Sequence, residues 1–254
     1  MSPLGVILNR KALWIAGVAL IAYFAIQRQI LTVSLGLEVL AAIIALVLHE
    51  ISHGLVALYY GDHTAAKSGR LRLNPLAHID PFGTLILPAI LLLMHLSPIG
   101  YAKPVPIDPN KLRHRNKAML VIALAGPFTN LLLSIIAGIA LRIFVYSNSY
   151  SGNLPLLNGL NNSSTIIGYF WIYFGIINAI YFVFNMLPIP PLDGSAILRR
   201  VIGEAGYHRV ASSMKIFIPI LLLLIFIFPT LLSQIFNPVI KLWIHLFLPA
   251  SAIA

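Results

Sequence analysis

Residues 49–53 read His49-Glu50-Ile51-Ser52-His53 and lie inside an apolar run from Leu35 to Tyr60. Two histidines four residues apart lie on one face of a helix, where both rings can reach a single Zn²⁺. The glutamate between them can accept a proton from water at the metal. The run is long enough to cross a bilayer, where ionisable groups are costly and usually functional. The pattern therefore predicts a metal site inside a membrane helix, and the alternative is a pair of histidines bonded to neighbouring helices beside a protonated Glu50.

The composition around this stretch excludes a water-soluble globule. Of the 254 residues, 59% are hydrophobic and 9% are charged, whereas soluble domains have roughly 45–50% apolar and about 25% charged residues. The absence of cysteine excludes disulfides, thiolate nucleophiles and cysteine metal sites. The net charge is +10, but the basic residues lie between apolar runs and form no stripe with aromatics. Nucleic acid is therefore not an expected partner.

About six apolar runs occupy most of the chain and predict an all-α polytopic membrane protein. We expect a single membrane-embedded domain over residues 1–254, with a core at about 35–200. The runs and a shorter tail extend over Ala12 to about Ile26, Leu35–Tyr60, Phe82–Leu96, Ala118–Tyr146, Ile166–Leu187, Ile216–Phe236 and Val239–Leu248. The sequence leaves open whether the tail crosses the membrane, lies at its surface or turns back.

The basic residues indicate how these runs are arranged. Fourteen of the 17 lie in four segments, whereas the loop 147–165 has no charge. Lys- and Arg-rich short loops stay on the cytoplasmic side, and all four segments share that side only if the run 82–96 does not cross. That run is short and contains Pro88, so we expect it to be re-entrant from the cytoplasm, beside a wet cavity. The alternative is a short, tilted span.

A catalytic zinc usually takes three protein ligands and leaves one position for water. The chain has seven acidic residues, so few candidates exist for the third ligand. Glu38 lies about 16 Å from His49 along the helix, and we interpret Asp62 and Glu204 as loop charges. The remaining candidates are Asp80, Asp108 and Asp193, with His78 as a further possibility.

Among these candidates the sequence modestly favours Asp193. It follows a proline-broken end of an apolar run, at 188–191, where interrupted helical hydrogen bonding can direct a carboxylate inward. Gly194 permits close approach of the backbone.

Four motifs follow one another between Leu46 and Arg200. They are His-Glu-Ile-Ser-His at 49–53, Arg-Leu-Arg-Leu-Asn-Pro-Leu-Ala-His-Ile-Asp-Pro-Phe-Gly-Thr at 70–84, Gly-Pro-Phe-Thr-Asn at 126–130 and Asn-Met-Leu-Pro-Ile-Pro-Pro-Leu-Asp-Gly at 185–194. In this order they resemble the site-2 protease family of intramembrane zinc metalloproteases, in its compact branch without PDZ or CBS modules.

The resemblance implies a function for particular residues. His49, His53 and Asp193 would bind one Zn²⁺ per chain, and Glu50 would be the catalytic acid and base. Asn185 would position the substrate or stabilise the oxyanion. The family core of three helices corresponds here to the runs 35–60, 118–146 and 166–187, the last continuing to Asp193.

Other polar residues allow two interpretations each. Ser68 to Leu73 alternates in the manner of a strand, which predicts either a short β-hairpin edge for an extended substrate or a cytoplasmic hairpin with solvated arginines. His78 and Asp80 could orient a ligand or form turns. We interpret Asn178 as a bond between helices, whereas for Asn130 a bond between helices and a functional role are equally supported.

The expected function is that of a zinc-dependent endopeptidase that hydrolyses transmembrane substrates within or near the membrane, on its cytoplasmic side. The expected partners are a transmembrane protein substrate and the lipid bilayer, and the expected location is the cell membrane, with several spans. The alternative is a zinc-binding membrane transporter or a non-catalytic scaffold, because intramembrane His and Asp also form ion pathways.

Overall fold

Helices form all the regular structure in the described residues, which are 32–88, 100–149, 163–212 and 229–248 of a computed structural model. The α-helices are α1 (Val33–Tyr59), α2 (Thr64–Lys67), α3 (Arg115–Ser149), α4 (Ser163–Asn185), α5 (Ser195–Ser212) and α6 (Pro229–Phe247). Shorter turns are the 3₁₀ segments Pro75–Ala77 and Pro109–Lys111 and the π-helical segment Pro81–Ile86. The predicted all-α class is confirmed for these residues.

Three helices, α1, α3 and α4, are long and apolar enough to cross a membrane, and they pack against one another. Small residues line their contact, including Ala41 and Ala45 of α1 and Ala137 of α3, all with no exposed surface. Small side chains let helix backbones approach closely where lipid removes the hydrophobic drive between helices. The chain is therefore a membrane protein with a tightly packed three-helix core, as its sequence predicts.

Helix α6 corrects the predicted boundary between the run 216–236 and the tail 239–248. The helix is continuous from Pro229 to Phe247 and contains Pro238. Proline removes one backbone hydrogen bond, but the helix continues where side-chain packing against a neighbouring helix stabilises it. That packing includes Trp243, which is buried against α4 at Gly175, where any Cβ would collide with the indole.

The strand predicted at 68–73 is wrong, because no strand is present there or elsewhere in the described residues. Gly69 has a positive φ of 68°, and the amide of Arg70 bonds to the carbonyl of Ala65 at 3.0 Å. The chain therefore turns back on α2 rather than extending, and a strand cannot persist without a neighbour to pair with. The run 12–26, most of the run 82–96 and residues 216–228 lie outside the described residues, so the re-entrant segment stays a prediction.

Asp62 lies in the loop between α1 and α2, as predicted, but it has no exposed surface. Its carboxylate accepts hydrogen bonds from the amide and hydroxyl of Thr64, at 2.9 and 2.5 Å, and from the amide of Asp108 at 2.7 Å. Burial opposes ionisation, but these donors hold the pKa of Asp62 below its usual range. The carboxylate ties the end of α1 to the segment that precedes α3.

The substitution Asp62→Asn is expected to lower the free energy of unfolding near pH 7 by about 1–3 kcal/mol, because hydrogen bonds to a charged acceptor are lost. A carboxyl whose folded pKa is depressed stabilises the protein above its unfolded pKa of about 3.9, and this contribution is lost as pH falls through the folded pKa. The difference between wild type and variant should therefore shrink below about pH 4. Thermal unfolding in detergent at several pH values measures it, and a difference that stays constant into strong acid contradicts the interpretation.

Candidate metal centre

Three ligating side chains converge where α1, α3 and the turn before α5 meet. His49 and His53 come from one face of α1, and Asp193 comes from the turn between α4 and α5. The two histidine Nε2 atoms lie 3.1 Å apart. Asp193 Oδ2 lies 3.1 Å from Nε2 of His49 and 3.4 Å from Nε2 of His53. The structure thus brings together the three residues that the motif resemblance implies as ligands.

The outer nitrogen of each histidine has an acceptor, which determines its tautomer. His49 Nδ1 lies 2.5 Å from Asn130 Oδ1, and His53 Nδ1 lies 2.6 Å from the carbonyl oxygen of Ile122. Since both partners are oxygens that accept, both Nδ1 atoms must carry the proton, and neutral rings then present a lone pair at Nε2. Two nitrogen lone pairs and a carboxylate oxygen therefore point at one another, an arrangement that a cation stabilises.

The orientation of Asn130 is itself determined by a buried relay. The Asn178 amide nitrogen donates to the Phe174 carbonyl at 2.8 Å, and the Asn130 amide nitrogen donates to Asn178 Oδ1 at 2.8 Å. Because a carbonyl can only accept, each amide has one satisfactory orientation, and the Asn130 oxygen faces His49. Both asparagines are fully buried. Asn130 therefore both bonds to another helix and orients a histidine, while Asn178 bonds between helices as predicted.

These distances fit a zinc ion. Zn–N and Zn–O distances of about 2.0–2.1 Å and a tetrahedral angle place neighbouring ligand atoms about 3.3 Å apart, close to the observed 3.1–3.4 Å. The inner oxygen of Asp193, Oδ2, is buried without a hydrogen-bond donor among the described residues. A buried carboxylate oxygen without a donor is costly unless a cation neutralises it.

Gly126 provides the space for this centre. A Cβ at this position would lie 2.6 Å from His49 Nε2 and closer still to His53 Nε2. Gly126 is one turn before Asn130 on α3, so the same helix supplies both the clearance and the partner of His49. The motif at 126–130 is thereby explained by the approach of the α3 backbone to the metal ligands.

Glu50 lies beside this triangle and is held by a backbone amide. Its Oε2 accepts a hydrogen bond from the amide of Val105 at 2.9 Å. Residues 103–107, Lys103-Pro104-Val105-Pro106-Ile107, form the segment concerned, hereafter the 103–107 segment. Prolines have no N–H, so Val105 is the single donor between residues 104 and 106. The carboxylate is therefore oriented by the one amide that this part of the segment can offer.

Arg70 holds the 103–107 segment in place. Its guanidinium donates to the carbonyls of Lys103 and Pro104, at 2.9 and 2.8 Å, and only 8% of the residue is exposed. The amide of Lys103 donates to the carbonyl of His78 at 2.8 Å. Sequence reasoning missed this support for Glu50, because Arg70 looks like one of several solvated arginines. The Pro-Val-Pro pattern is the one available signal, and it does not indicate what Val105 contacts.

The turn that carries Asp193 is anchored to the end of α4. The amide of Gly194 donates to the carbonyl of Asn185 at 2.6 Å, and a Cβ on Gly194 would lie 2.5 Å from the carbonyl oxygen of Leu187. The predicted close approach at Gly194 is therefore present. The Asn185 side chain donates to the Tyr181 carbonyl at 3.1 Å on its own helix, and among the described residues its amide forms no hydrogen bond with the three ligands.

The other candidates for the third ligand have local roles. Asp80 accepts from the amides of Phe82 and Gly83 at the start of the π-helical segment. Asp108 accepts from the Asn110 amide and forms an ion pair with Lys111 at 3.0 Å. His78 is buried, its Nε2 lies 3.3 Å from the carbonyl oxygen of Arg72, and its own backbone carbonyl accepts the hydrogen bond from Lys103. None of them joins the ligand cluster found among the described residues.

The substitution Asn130→Ala is expected to weaken zinc binding by roughly 10- to 100-fold, because His49 loses the acceptor that determines its tautomer. Asn130→Asp keeps the acceptor and should lose less. Asn178→Ala acts only through Asn130 and should also have a smaller effect. Competition titration with a chelator measures the affinities, and equal losses in all three variants would indicate a general packing defect instead.

Comparisons with known proteins agree with this geometry. The profile of peptidase family M50 matches residues 38–228, which include all three ligating residues. A protein of Bacillus subtilis (strain 168), named "Putative zinc metalloprotease YwhC", is 34% identical over 164 residues, 65% of this chain and 68% of that protein.

Two mycobacterial relatives are named "Putative zinc metalloprotease Rip2". The one from Mycolicibacterium smegmatis (strain ATCC 700084 / mc(2)155) is 31% identical over 162 residues, 61% of this chain and 53% of that protein. The one from Mycobacterium tuberculosis (strain ATCC 25618 / H37Rv) is 28% identical over 200 residues, 78% of this chain and 69% of that protein. This chain thus spans about half the length of the first and about two thirds of the second. No solved structure matches it significantly.

Proposed function

This chain belongs to peptidase family M50, and from that membership we propose that it is a zinc metalloendopeptidase that cleaves transmembrane proteins within or near the membrane. The observation that carries the proposal is the convergence of three metal-ligating atoms within 3.1–3.4 Å, with the Glu50 carboxylate on the next residue of the same helix. The names of the relatives as zinc metalloproteases support the same chemistry.

His49, His53 and Asp193 would hold the zinc, and three protein ligands are the usual number for a catalytic zinc. The chemistry that bound Zn²⁺ supplies is that of a Lewis acid, which polarises a carbonyl and makes water more acidic. The negative charge of Asp193 and the neutral rings of both histidines suit a divalent cation.

Glu50 would move the proton. The hydrogen bond from Val105 occupies its Oε2, while Oε1 has no hydrogen-bond partner among the described residues. That oxygen is free to take a proton from the attacking water and to return it to the leaving amine. The amide of Val105 keeps the carboxylate in one rotamer, which reduces the cost of orienting it for each turnover.

Asn185 is proposed to position the substrate beside the metal. One hydrogen of its amide is used by the Tyr181 carbonyl, and the second remains for a substrate carbonyl or a developing oxyanion. The backbone carbonyl of Asn185 accepts a hydrogen bond from the amide of Gly194, the residue after the ligand Asp193. Asn185 would therefore both contact substrate and support a metal ligand.

We further propose that the protein crosses the cell membrane several times and that its site faces the cytoplasm. The end of α1 packs against the start of α3, where Ala57 meets Leu112, just before the helix, and Ala118 in its first turn. Basic residues concentrate at this end, namely Lys67, Arg70, Arg72, Lys103, Lys111, Arg113, Arg115 and Lys117. The positive-inside rule supports placing this end in the cytoplasm, where water is available for hydrolysis.

The proposal is tested with purified protein and a fluorescent single-span substrate in detergent micelles. Cleavage is expected to stop when a chelator removes zinc and to return when zinc is added. Asp193→Ala is expected to lose both zinc and cleavage. Vesicles that contain the protein should show no flux of zinc across the membrane. Zinc flux without cleavage would favour the transporter, and zinc binding with neither activity would favour a scaffold.

A further inference from the structure

A cavity of about 340 Å³ lies beside the metal centre, and the proposed reaction gives it no role. Asp193 is part of its wall, so the cavity reaches the metal ligands themselves. The other walls are the first turns of α3, from Arg115 to Ala123, and one side of α5, from Ser195 to Tyr207. Ala123 lies three residues before Gly126, whereas Arg115 lies eight residues further away, about 12 Å along the helix. The cavity thus connects the metal site with the Arg-rich end of the bundle.

The walls change from apolar to basic over this distance. Leu192 adjoins the ligand Asp193 in sequence, and Met119 and Leu120 lie about two turns from Gly126. The lining residues Arg115 and Arg200 are exposed, and together with Arg199 they define the part of the cavity hereafter called the mouth. Two helix N-termini, at Arg115 of α3 and Ser195 of α5, add partial positive charge to the same region.

The charges at the mouth are not balanced. Arg199 is paired with Glu204, its Nε lying 2.6 Å from Oε2 of that residue, and it lies over the Tyr207 ring. Arg115 and Arg200 are exposed and form no ion pair within 4 Å among the described residues, although the hydrogen bond from Arg199 and the charge of Arg115 both help to lower the pKa of Glu204. Three arginines and one glutamate line this part of the cavity, so a net positive charge faces whatever occupies its mouth.

We propose that this cavity binds the flank of the substrate and selects flanks that carry Asp or Glu over flanks that carry Lys or Arg. The inference rests on the proposed proteolytic function. Arg115 lies 11 residues from Gly126, about 16 Å along α3, and an extended peptide advances about 3.3 Å per residue, so about five residues separate the cleaved bond from the side chain that meets Arg115. An acidic side chain there gains charge-assisted contacts, and a basic one is repelled.

This selectivity has a physical use in a membrane. Most membrane proteins carry Lys and Arg at the cytoplasmic ends of their spans. A mouth with a net positive charge repels those flanks and so protects most membrane proteins from cleavage. An anionic lipid headgroup could also meet exposed arginines, but the cavity leads to Asp193 rather than along the outer surface of the bundle, which favours a peptide.

The test uses single-span peptides that share one apolar span and differ in a short flank containing Asp, Asn or Lys. Wild-type protein in neutral phosphatidylcholine vesicles is expected to cleave the Asp peptide roughly five- to tenfold faster than the Lys peptide. The double substitution Arg115→Gln with Arg200→Gln should remove the preference, and Arg115→Glu with Arg200→Glu should reverse it. Lys117→Glu is the matched control, because Lys117 is exposed on the same turns of α3 but does not line the cavity.

Binding of the same peptides to zinc-loaded Glu50→Gln protein is measured in parallel, so that flank preference is read without cleavage. Flank-dependent binding without any cleavage by the wild type would refute the proposed function and leave the selectivity of the cavity standing. Cleavage or binding that is independent of the flank would overturn the inference and leave the proposed function standing. Equal losses for all three peptides in the arginine variants, seen only in vesicles with anionic lipid, would also overturn it and assign the arginines to lipid.

Discussion

Glu50→Gln is expected to bind zinc as the wild type does and to cleave substrate at least about 100-fold more slowly, within the range of 10²–10⁴ typical of general acid–base catalysts. The three ligating atoms come from His49, His53 and Asp193, so removing the charge of Glu50 takes no ligand from the metal. Glutamine can still accept the hydrogen bond from Val105, and the local structure should remain. What it cannot do is take a proton from water at neutral pH.

The measurements are zinc content and cleavage rate on the same purified sample. Glu38→Gln is the matched control, because Glu38 lies on α1 about three turns or more from the metal ligands. It should keep both properties. A Glu50→Gln protein with full activity would remove Glu50 from the mechanism, and one that has lost its zinc would mean that Glu50 supports the metal rather than the proton transfer.

Gly126→Ala is expected to lower zinc affinity by more than about 100-fold, the upper range known for loss of a ligand's supporting partner, and to abolish cleavage with it. The added Cβ would lie 2.6 Å from the nitrogen that His49 presents to the metal. Helix α3 cannot simply move away, because Asn130 bonds to Asn178 and Ser134 bonds to the Gly175 carbonyl at 2.9 Å. The side chains of the ligands must move instead.

Gly36→Ala provides the control for this substitution. Gly36 is also helical, and a Cβ there would meet nothing within 4 Å, so alanine should be neutral or stabilising. Zinc affinity by chelator competition and unfolding temperature are compared for both variants. A Gly126→Ala protein that unfolds like the wild type without binding zinc supports the close approach of α3, and one that binds zinc normally contradicts it.

The membrane class, the three long helices and the metal motif of α1 could be predicted because each depends on neighbours in sequence. A sufficiently long apolar run predicts a membrane helix whichever helices it packs against. Helix α1 begins and ends within two residues of the predicted run. The spacing of His49 and His53 places both rings on one face of any helix. Glu50 follows from the same local pattern. The close backbone approach at Gly194 was also predicted correctly, because a glycine has no Cβ to keep another backbone segment away.

Contacts between distant residues could not be predicted in the same way. The burial of Asp62 could not be predicted, because one of its hydrogen-bond donors is the amide of a residue 46 positions away in the sequence. The strand at 68–73 failed because alternation does not reveal whether a pairing partner exists. Pro238 looks like a boundary, but the packing of Trp243 keeps α6 continuous through it. In each case a tertiary contact outweighs the local preference.

The local sequence was sufficient to predict a helical membrane protein with two histidines at metal-ligand spacing and an acid between them. Which carboxylate joins the histidines depends on the fold, since Asp80 and Asp108 cap local turns while the turn at Gly194 brings Asp193 to within 3.1 Å of His49. The fold also determines the tautomers of the histidines, through Ile122 and Asn130, and the orientation of Glu50, through Val105. A metal site and its supporting contacts need atoms about 3 Å apart. Here those atoms come from residues 55 to 144 positions apart in the sequence, and whether they meet depends on how the helices pack.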